Sequence, residues 1–122
     1  MSSHKIFVVD DDAPFRHVIN KILSAYDYQV SEGSGSLSVI QTIRQEKPDL
    51  ILLDLYMPKA GGIEIIRTMR KLKIDIPVIV ISGLLSKKDF QILLEHGIRH
   101  FLVKPIHLKT LLDAVKDVLH HE

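Results

Sequence analysis

The chain has no cysteine and no tryptophan, and its aromatic residues are four Phe and three Tyr among 122 residues. Without cysteine a disulfide scaffold is excluded, and the composition fits a reducing compartment, here read as the cytoplasm. No apolar run approaches the 18 or so residues of a membrane span. Met1-Ser2-Ser3-His4 shows no secretory leader, so no membrane association is expected. A dominant charge is missing too. With 16 basic and 15 acidic side chains the formal net charge is +1, which argues against direct nonspecific binding to nucleic acid.

What is abundant is branched aliphatic: 42 residues are Ile, Leu or Val. Low net charge with that content excludes disorder. The length fits one domain, residues 1–122 with a core over 5–119, and 46% apolar residues can fill it. Four runs, Ile6-Phe7-Val8-Val9, Leu50-Ile51-Leu52-Leu53, Val78-Ile79-Val80-Ile81 and Phe101-Leu102-Val103, are continuous rather than alternating. That pattern is expected of parallel strands covered on both faces. Tyr28-Gln29-Val30 is polar enough for an edge strand. The run centres lie near residues 8, 29, 52, 79 and 102, one strand plus one short helix apart.

The intervening segments have helical period. Phe15, Val18, Ile19, Ile22, Leu23 and Tyr26 form one stripe, and Leu108, Leu111, Leu112, Val115 and Leu119 another. Leu37 to Ile43 and Ile63 to Leu72 supply shorter ones. Asp12 is placed to cap the first helix with Pro14 in its first turn, and Gly97 to stop the fourth. Ser31 to Ser38 reads as a loop. Five βα units with right-handed crossovers make a doubly wound α/β fold.

In such sheets ligands sit at the carboxyl ends of the strands. There the chain places Asp10-Asp11-Asp12, Asp54, Ser82-Gly83 and Lys104-Pro105. Each alone has a bland reading: Asp12 as a cap, Ser82 as a turn residue, Lys104 as a surface lysine. Together, Asp10, Asp11 and Asp54 gather three carboxylates in one pocket. At about 4 Å and an effective dielectric near 20, each like-charge pair costs on the order of 4 kcal/mol. Lys104 offsets one charge. A hard divalent cation suits the remainder, and Mg²⁺ fits carboxylates left partly hydrated. Three acids in the first turn also exclude a glycine-rich phosphate cradle. With metal bound, the pocket suits phosphoryl transfer onto a carboxylate.

These residues resemble the receiver domain of two-component response regulators, from about Lys5 to Leu119. The signature is Val8-Val9-Asp10-Asp11, Leu53-Asp54-Leu55-Tyr56-Met57-Pro58, Ile81-Ser82-Gly83 and Val103-Lys104-Pro105, in that order. The resemblance implies a flavodoxin-like five-stranded parallel sheet of order 2-1-3-4-5, the order of the chemotaxis receiver. It implies that Asp54 accepts a phosphoryl group from a sensor histidine kinase or a phosphotransfer protein. Asp10, Asp11, Asp54 and the backbone carbonyl of Tyr56 would hold Mg²⁺, and Ser82 and Lys104 would contact the phosphoryl oxygens. The Lys104-Pro105 bond would be cis. Ser82 would couple to Phe101, with a static core role for Phe101 as the alternative, and the surface of helix 4, strand 5 and helix 5 would carry the output to a downstream partner or a phosphorylation-linked homodimer.

Departures from the family pattern carry their own expectations. Gly61-Gly62 would loosen the loop after Asp54. Gly83 would leave Asp54 accessible, while Tyr56 and Leu84 would shield an aspartyl phosphate from water. The seven histidines lack zinc-site spacing, His120-His121 sits at a terminus expected to fray, and Arg67, Arg70, Lys71 and Lys73 read as a solvated face. Lys87, Lys88, Lys109 and Lys116 are exposed candidates for partner contact. The rival enzyme reading is a haloacid-dehalogenase-type phosphatase with Asp10 as nucleophile and Asp12 as acid, although Asp54 and its neighbours would then go unexplained. A third is an interaction module independent of phosphorylation. A receiver filling the chain leaves no room within it for an output domain, which suggests a stand-alone regulator or one domain of a longer protein.

Overall fold

Strands and helices alternate along the whole chain in a computed structural model that describes residues 3–59 and 61–120. They are β1 (Lys5–Val9), α1 (Ala13–Ala25), β2 (Gln29–Gly33), α2 (Val39–Glu46), β3 (Leu50–Asp54), α3 (Gly62–Lys71), β4 (Val78–Ser82), α4 (Lys87–Glu95), β5 (His100–Val103) and α5 (Leu108–Leu119). The five strands form one parallel sheet of order β2-β1-β3-β4-β5. None of the described helices is long and apolar enough to cross a membrane.

Because side chains alternate across a strand, the continuous aliphatic runs feed two cores. Phe7, Val9, Ile51, Leu53, Val78 and Val80 pack against α2, α3 and α4 through residues such as Ile43, Ile66, Met69 and Leu93. Ile6, Val8, Leu50, Leu52, Ile79 and Ile81 pack on the other face against Ile19 and Leu23 of α1 and Leu111, Leu112 and Val115 of α5. Burying an aliphatic side chain of this kind contributes roughly 1.5–3 kcal/mol. The strands are thus held rigidly, with their carboxyl ends at one rim.

Caps fall where the sequence places them. The Asp12 carboxylate accepts from the Phe15 amide at the start of α1, with Pro14 in the first turn. Gly97 follows α4 with a φ of +82°, the left-handed region that favours glycine.

Several expectations need correction. The second strand runs past Val30 to Gly33, because its edge residues pair with β1 from Lys5–Gln29 to Val9–Gly33. The loop expected over Ser31 to Ser38 therefore shrinks. α2 starts at Val39, two residues late, where Ser36 Oγ accepts from the Ser38 amide, and extends to Glu46. Val18 on α1 is 55% exposed and Tyr26, which caps its C-terminal end, 49%, so the buried stripe is narrower than the pattern implies. Arg70 is not simply solvated: its guanidinium donates to the carbonyls of His96 and Ile74, tying α3 to the end of α4. His120 lies against the Tyr28 hydroxyl at 3.3 Å and the His4 ring rather than fraying free; Met1, Ser2 and His121 lie outside the described residues.

Candidate functional site

The rim at the carboxyl ends of β1, β3, β4 and β5 collects the acids, the hydroxyl and the lysine. Asp10 directly follows β1 and is 1% exposed; Asp54 ends β3 and is 6% exposed. Asp11 is exposed. Each of the three offers a carboxylate oxygen lying within 4.8 Å of the others. Lys104, just past β5, places Nζ 2.9 Å from Asp10 Oδ2 and 3.9 Å from Asp54 Oδ2. Its ammonium also stands 4.4 Å from the centre of the Phe15 ring. The Lys104–Pro105 peptide bond is cis, as expected.

Electrostatics follow from that crowding. Burial pushes the Asp54 carboxyl up to about 6, and the Asp10 charge adds to it; Lys104 and the Tyr56 backbone N–H pull the other way, while Asp11 raises it further. One lysine therefore does not neutralise the group. Asp10 is held in place, since Oδ1 accepts from the Asp12 amide at 2.9 Å and Oδ2 from Lys104, and each oxygen keeps a lone pair for a further partner. Hard oxygen donors, a surplus of negative charge and one exposed carboxylate together fit a divalent cation of the Mg²⁺ kind.

The chain belongs to the response regulator receiver domain family. It matches that family's sequence profile over residues 6–116. The chain is 31% identical over 119 residues to the sporulation initiation phosphotransferase F of Bacillus subtilis (strain 168), covering 98% of this chain and 96% of that protein. It is 33% identical to the probable transcriptional regulator ycf27 of Porphyridium aerugineum, covering 98% of this chain and 49% of that protein. The chain spans about half the length of many curated relatives it matches. Among solved structures, the CheY-like receiver domain from Methanospirillum hungatei JF-1 superposes with a TM-score of 0.91 at 26% identity, covering 98% of this chain and 95% of that one. The signal receiver domain from Bermanella marisrubri gives 0.87 at 31% identity, covering 97% and 99%. Receivers generally bind Mg²⁺ in an acidic pocket and interact with histidine kinases or phosphotransfer proteins; here Asp10, Asp11 and Asp54 make the pocket.

The phosphatase and phosphorylation-independent readings are not favoured. Asp12 is occupied as the cap of α1, α5 rather than a strand follows β5, and the chain matches the receiver family over residues 6–116.

The remaining receiver positions divide. The buried Ser82 hydroxyl donates to the Leu84 carbonyl and accepts from the Leu84 amide at 3.2 Å, so it is satisfied within its own loop. Gly83 is exposed, and a Cβ there would meet no described atom within 4 Å, which keeps that side of the pocket open. Leu84 is 79% exposed. A side chain so far out in solvent screens little in this state. Tyr56 is half-exposed, and its hydroxyl donates to Asp89 Oδ2 in the first turn of α4. Phe101 is partly buried with its ring centre 5.0 Å from that of Phe90.

Gly62 has a packing reason of its own. A Cβ on Gly62 would lie 2.8 Å from the Asp54 carbonyl oxygen, and the Gly62 amide donates to the Leu55 carbonyl at 2.8 Å. The glycine serves close approach of α3 to the end of β3.

Two residues beside the pocket escaped the sequence reading. Arg16 donates to the backbone carbonyl of Asp10 and, through Nε, to Glu32 Oε1 at 3.2 Å. The available signal was an arginine four residues past the Asp12 cap with a glutamate on the edge strand.

Proposed function

We propose that this receiver takes a phosphoryl group onto Asp54 from the phosphohistidine of a sensor kinase or phosphotransfer protein, in a Mg²⁺-dependent reaction. The observation carrying this reading is the buried Asp54 carboxylate, 3.9 Å from Lys104 and grouped with Asp10 and Asp11. An Asp54 oxygen attacks phosphorus, an O–P bond forms as the N–P bond breaks, and the imidazole keeps the electron pair. Lys104 is positioned to draw off charge gathering on the phosphoryl oxygens. Ser82 has to exchange its bond with the Leu84 carbonyl for one to the phosphoryl group, which links acceptor chemistry to the β4–α4 loop.

Asp10, Asp11, Asp54 and the Tyr56 backbone carbonyl are the candidate metal ligands. Mg²⁺, when bound, supplies positive charge that offsets the carboxylates and the incoming phosphoryl oxygens. The chain's own residues account for the rest. Burial excludes bulk water from Asp54, Gly83 leaves an entrance, and Tyr56 stands beside it as the better placed shield of the Tyr56–Leu84 pair.

In this reading the protein is a switch in the cytoplasm rather than a metabolic enzyme, catalysing only its own phosphorylation and dephosphorylation. Its output runs through α4, β5 and α5, with Phe101 following Ser82, toward a downstream partner, an attached output segment or a second copy. The test is incubation with acetyl phosphate with and without Mg²⁺, followed by mapping of acid-labile phosphate. Labelling of Asp54 that needs Mg²⁺ and disappears in Asp54→Asn is expected. Labelling of Asp10 with turnover of a phosphomonoester would overturn the reading in favour of a phosphatase.

A further inference from the structure

The turn between β1 and α1 has to present two carboxylates, Asp10 and Asp11, from consecutive residues. Their mutual orientation depends on the peptide unit that joins them, whose oxygen is the Asp10 carbonyl. That oxygen accepts a charged hydrogen bond from the Arg16 guanidinium in the first turns of α1. The Asp10 amide donates to the Gly33 carbonyl at 3.1 Å, so the residue is held from both sides.

Arg16 is in turn fixed. Its Nε donates to Glu32 Oε1 at 3.2 Å, and the other Glu32 oxygen accepts from Asn20 Nδ2 at 2.8 Å. Asn20 Oδ1 accepts from the Ser24 hydroxyl, also at 2.8 Å. Arg16 and Glu32 are only 16% and 20% exposed, which limits solvent screening of the pair. The guanidinium satisfies two acceptors at once through its planar fork, which an ammonium does not reproduce in that geometry. The result is a continuous path from α1 through the end of β2 to the peptide between the two carboxylates.

We propose that Arg16, braced by Glu32, is a positioning residue that fixes the Asp10–Asp11 peptide unit and so sets the pocket's affinity for Mg²⁺. This rests on the reading of Asp10 and Asp11 as metal ligands. Partners that orient ligands without touching the metal typically change affinity 10–100-fold when removed. A bond to the peptide between two ligands acts on both.

Calorimetric titration of MgCl2 into the full chain tests this, comparing wild type with Arg16→Met, Glu32→Gln and the double variant, with thermal unfolding of each metal-free protein alongside. Arg16→Met is expected to weaken Mg²⁺ binding about tenfold. Glu32→Gln, which keeps the shape, should weaken it less, and the double variant should match Arg16→Met because Glu32 acts through Arg16. A purely structural role would lower the melting temperature and leave the dissociation constant unmoved. Unchanged affinity in folded Glu32→Gln and Arg16→Met, or losses that simply add, overturns the proposal. If Arg16→Met fails to fold, unchanged affinity in Glu32→Gln still overturns it. Asp11→Asn separates the two levels: if it binds Mg²⁺ as wild type does, the metal-ligand reading itself fails.

Discussion

The turn from β1 to α1 and the loop from β4 to α4 border the same pocket but are built in opposite ways. In the first, Asp10 is engaged at its amide, its carbonyl and both carboxylate oxygens. The neighbouring approach of α3 leaves no space for a Cβ on Gly62. In the second, Ser82 bonds only locally to Leu84, Gly83 faces open space among the described residues, and Leu84 projects into solvent. α4 is correspondingly light in anchoring, with Leu93 as its fully buried residue against Gly62, Ile65, Ile66 and Met69 on α3. A phosphoryl-accepting pocket needs groups fixed before the reaction. A signalling segment needs low local stability so that a single new bond shifts it. Under the proposed function, the difference places chemistry on one side of the pocket and movement on the other.

Glycine substitution should break the comparison most visibly. Gly62→Val drives side-chain atoms into the Asp54 carbonyl and should lower the free energy of unfolding by about 3 kcal/mol in urea titrations. Gly83→Ala should change it by less than about 0.5 kcal/mol. Comparable losses at both sites would show that the two segments are equally packed.

The charge crowded on the fixed side should appear as a pH dependence. The Asp54 carboxyl is raised from its ordinary 3.8 to about 6. A raised acid contributes stability that is fully present below its unfolded value and is lost as pH rises through the folded one. Asp54→Asn should therefore match wild type near pH 3.5 and exceed it by about 2–3 kcal/mol near pH 7 in metal-free buffer. Saturating Mg²⁺ should narrow the gap, because it binds the acidic pocket that the variant has weakened. No difference between pH 4 and 7 would refute the crowding argument.

On the mobile side the expected effects are smaller. Phe90→Leu removes the tilted ring partner of Phe101 and should cost about 1 kcal/mol, read from unfolding curves. Smaller still is the effect at Leu84. Leu84→Glu should leave stability within about 0.5 kcal/mol of wild type, since the side chain is already in solvent. Tyr56→Asn should shorten the phosphate lifetime more than Leu84→Glu does. A lifetime unchanged or longer in Tyr56→Asn would remove the shielding role.

Much of this was legible in the residues, for physical reasons that also explain the errors. Strands buried on both faces must be aliphatic throughout, so Leu50 to Leu53 and Val78 to Ile81 announce themselves. Acids at their ends have no packing explanation, which singles out Asp10 and Asp54. β2 is an edge strand whose Ser31, Glu32 and Gly33 obtain their structure from β1, and local composition reads them as loop. Arg70 and Arg16 look like surface charges because their acceptors are carbonyls, and a carbonyl leaves no mark in sequence. Gly62 looked permissive when its reason is a neighbour brought close by the fold.

Amide hydrogen exchange tests the division most directly. The protein with Mg²⁺ alone is compared with the protein carrying Mg²⁺ and beryllium fluoride as a phosphoryl mimic. Altered protection is expected in Gly83–Glu95 and in β5, with Asp10 to Arg16 unchanged between the two states. Change concentrated in the β1–α1 turn, with α4 and β5 unaffected, would contradict the account.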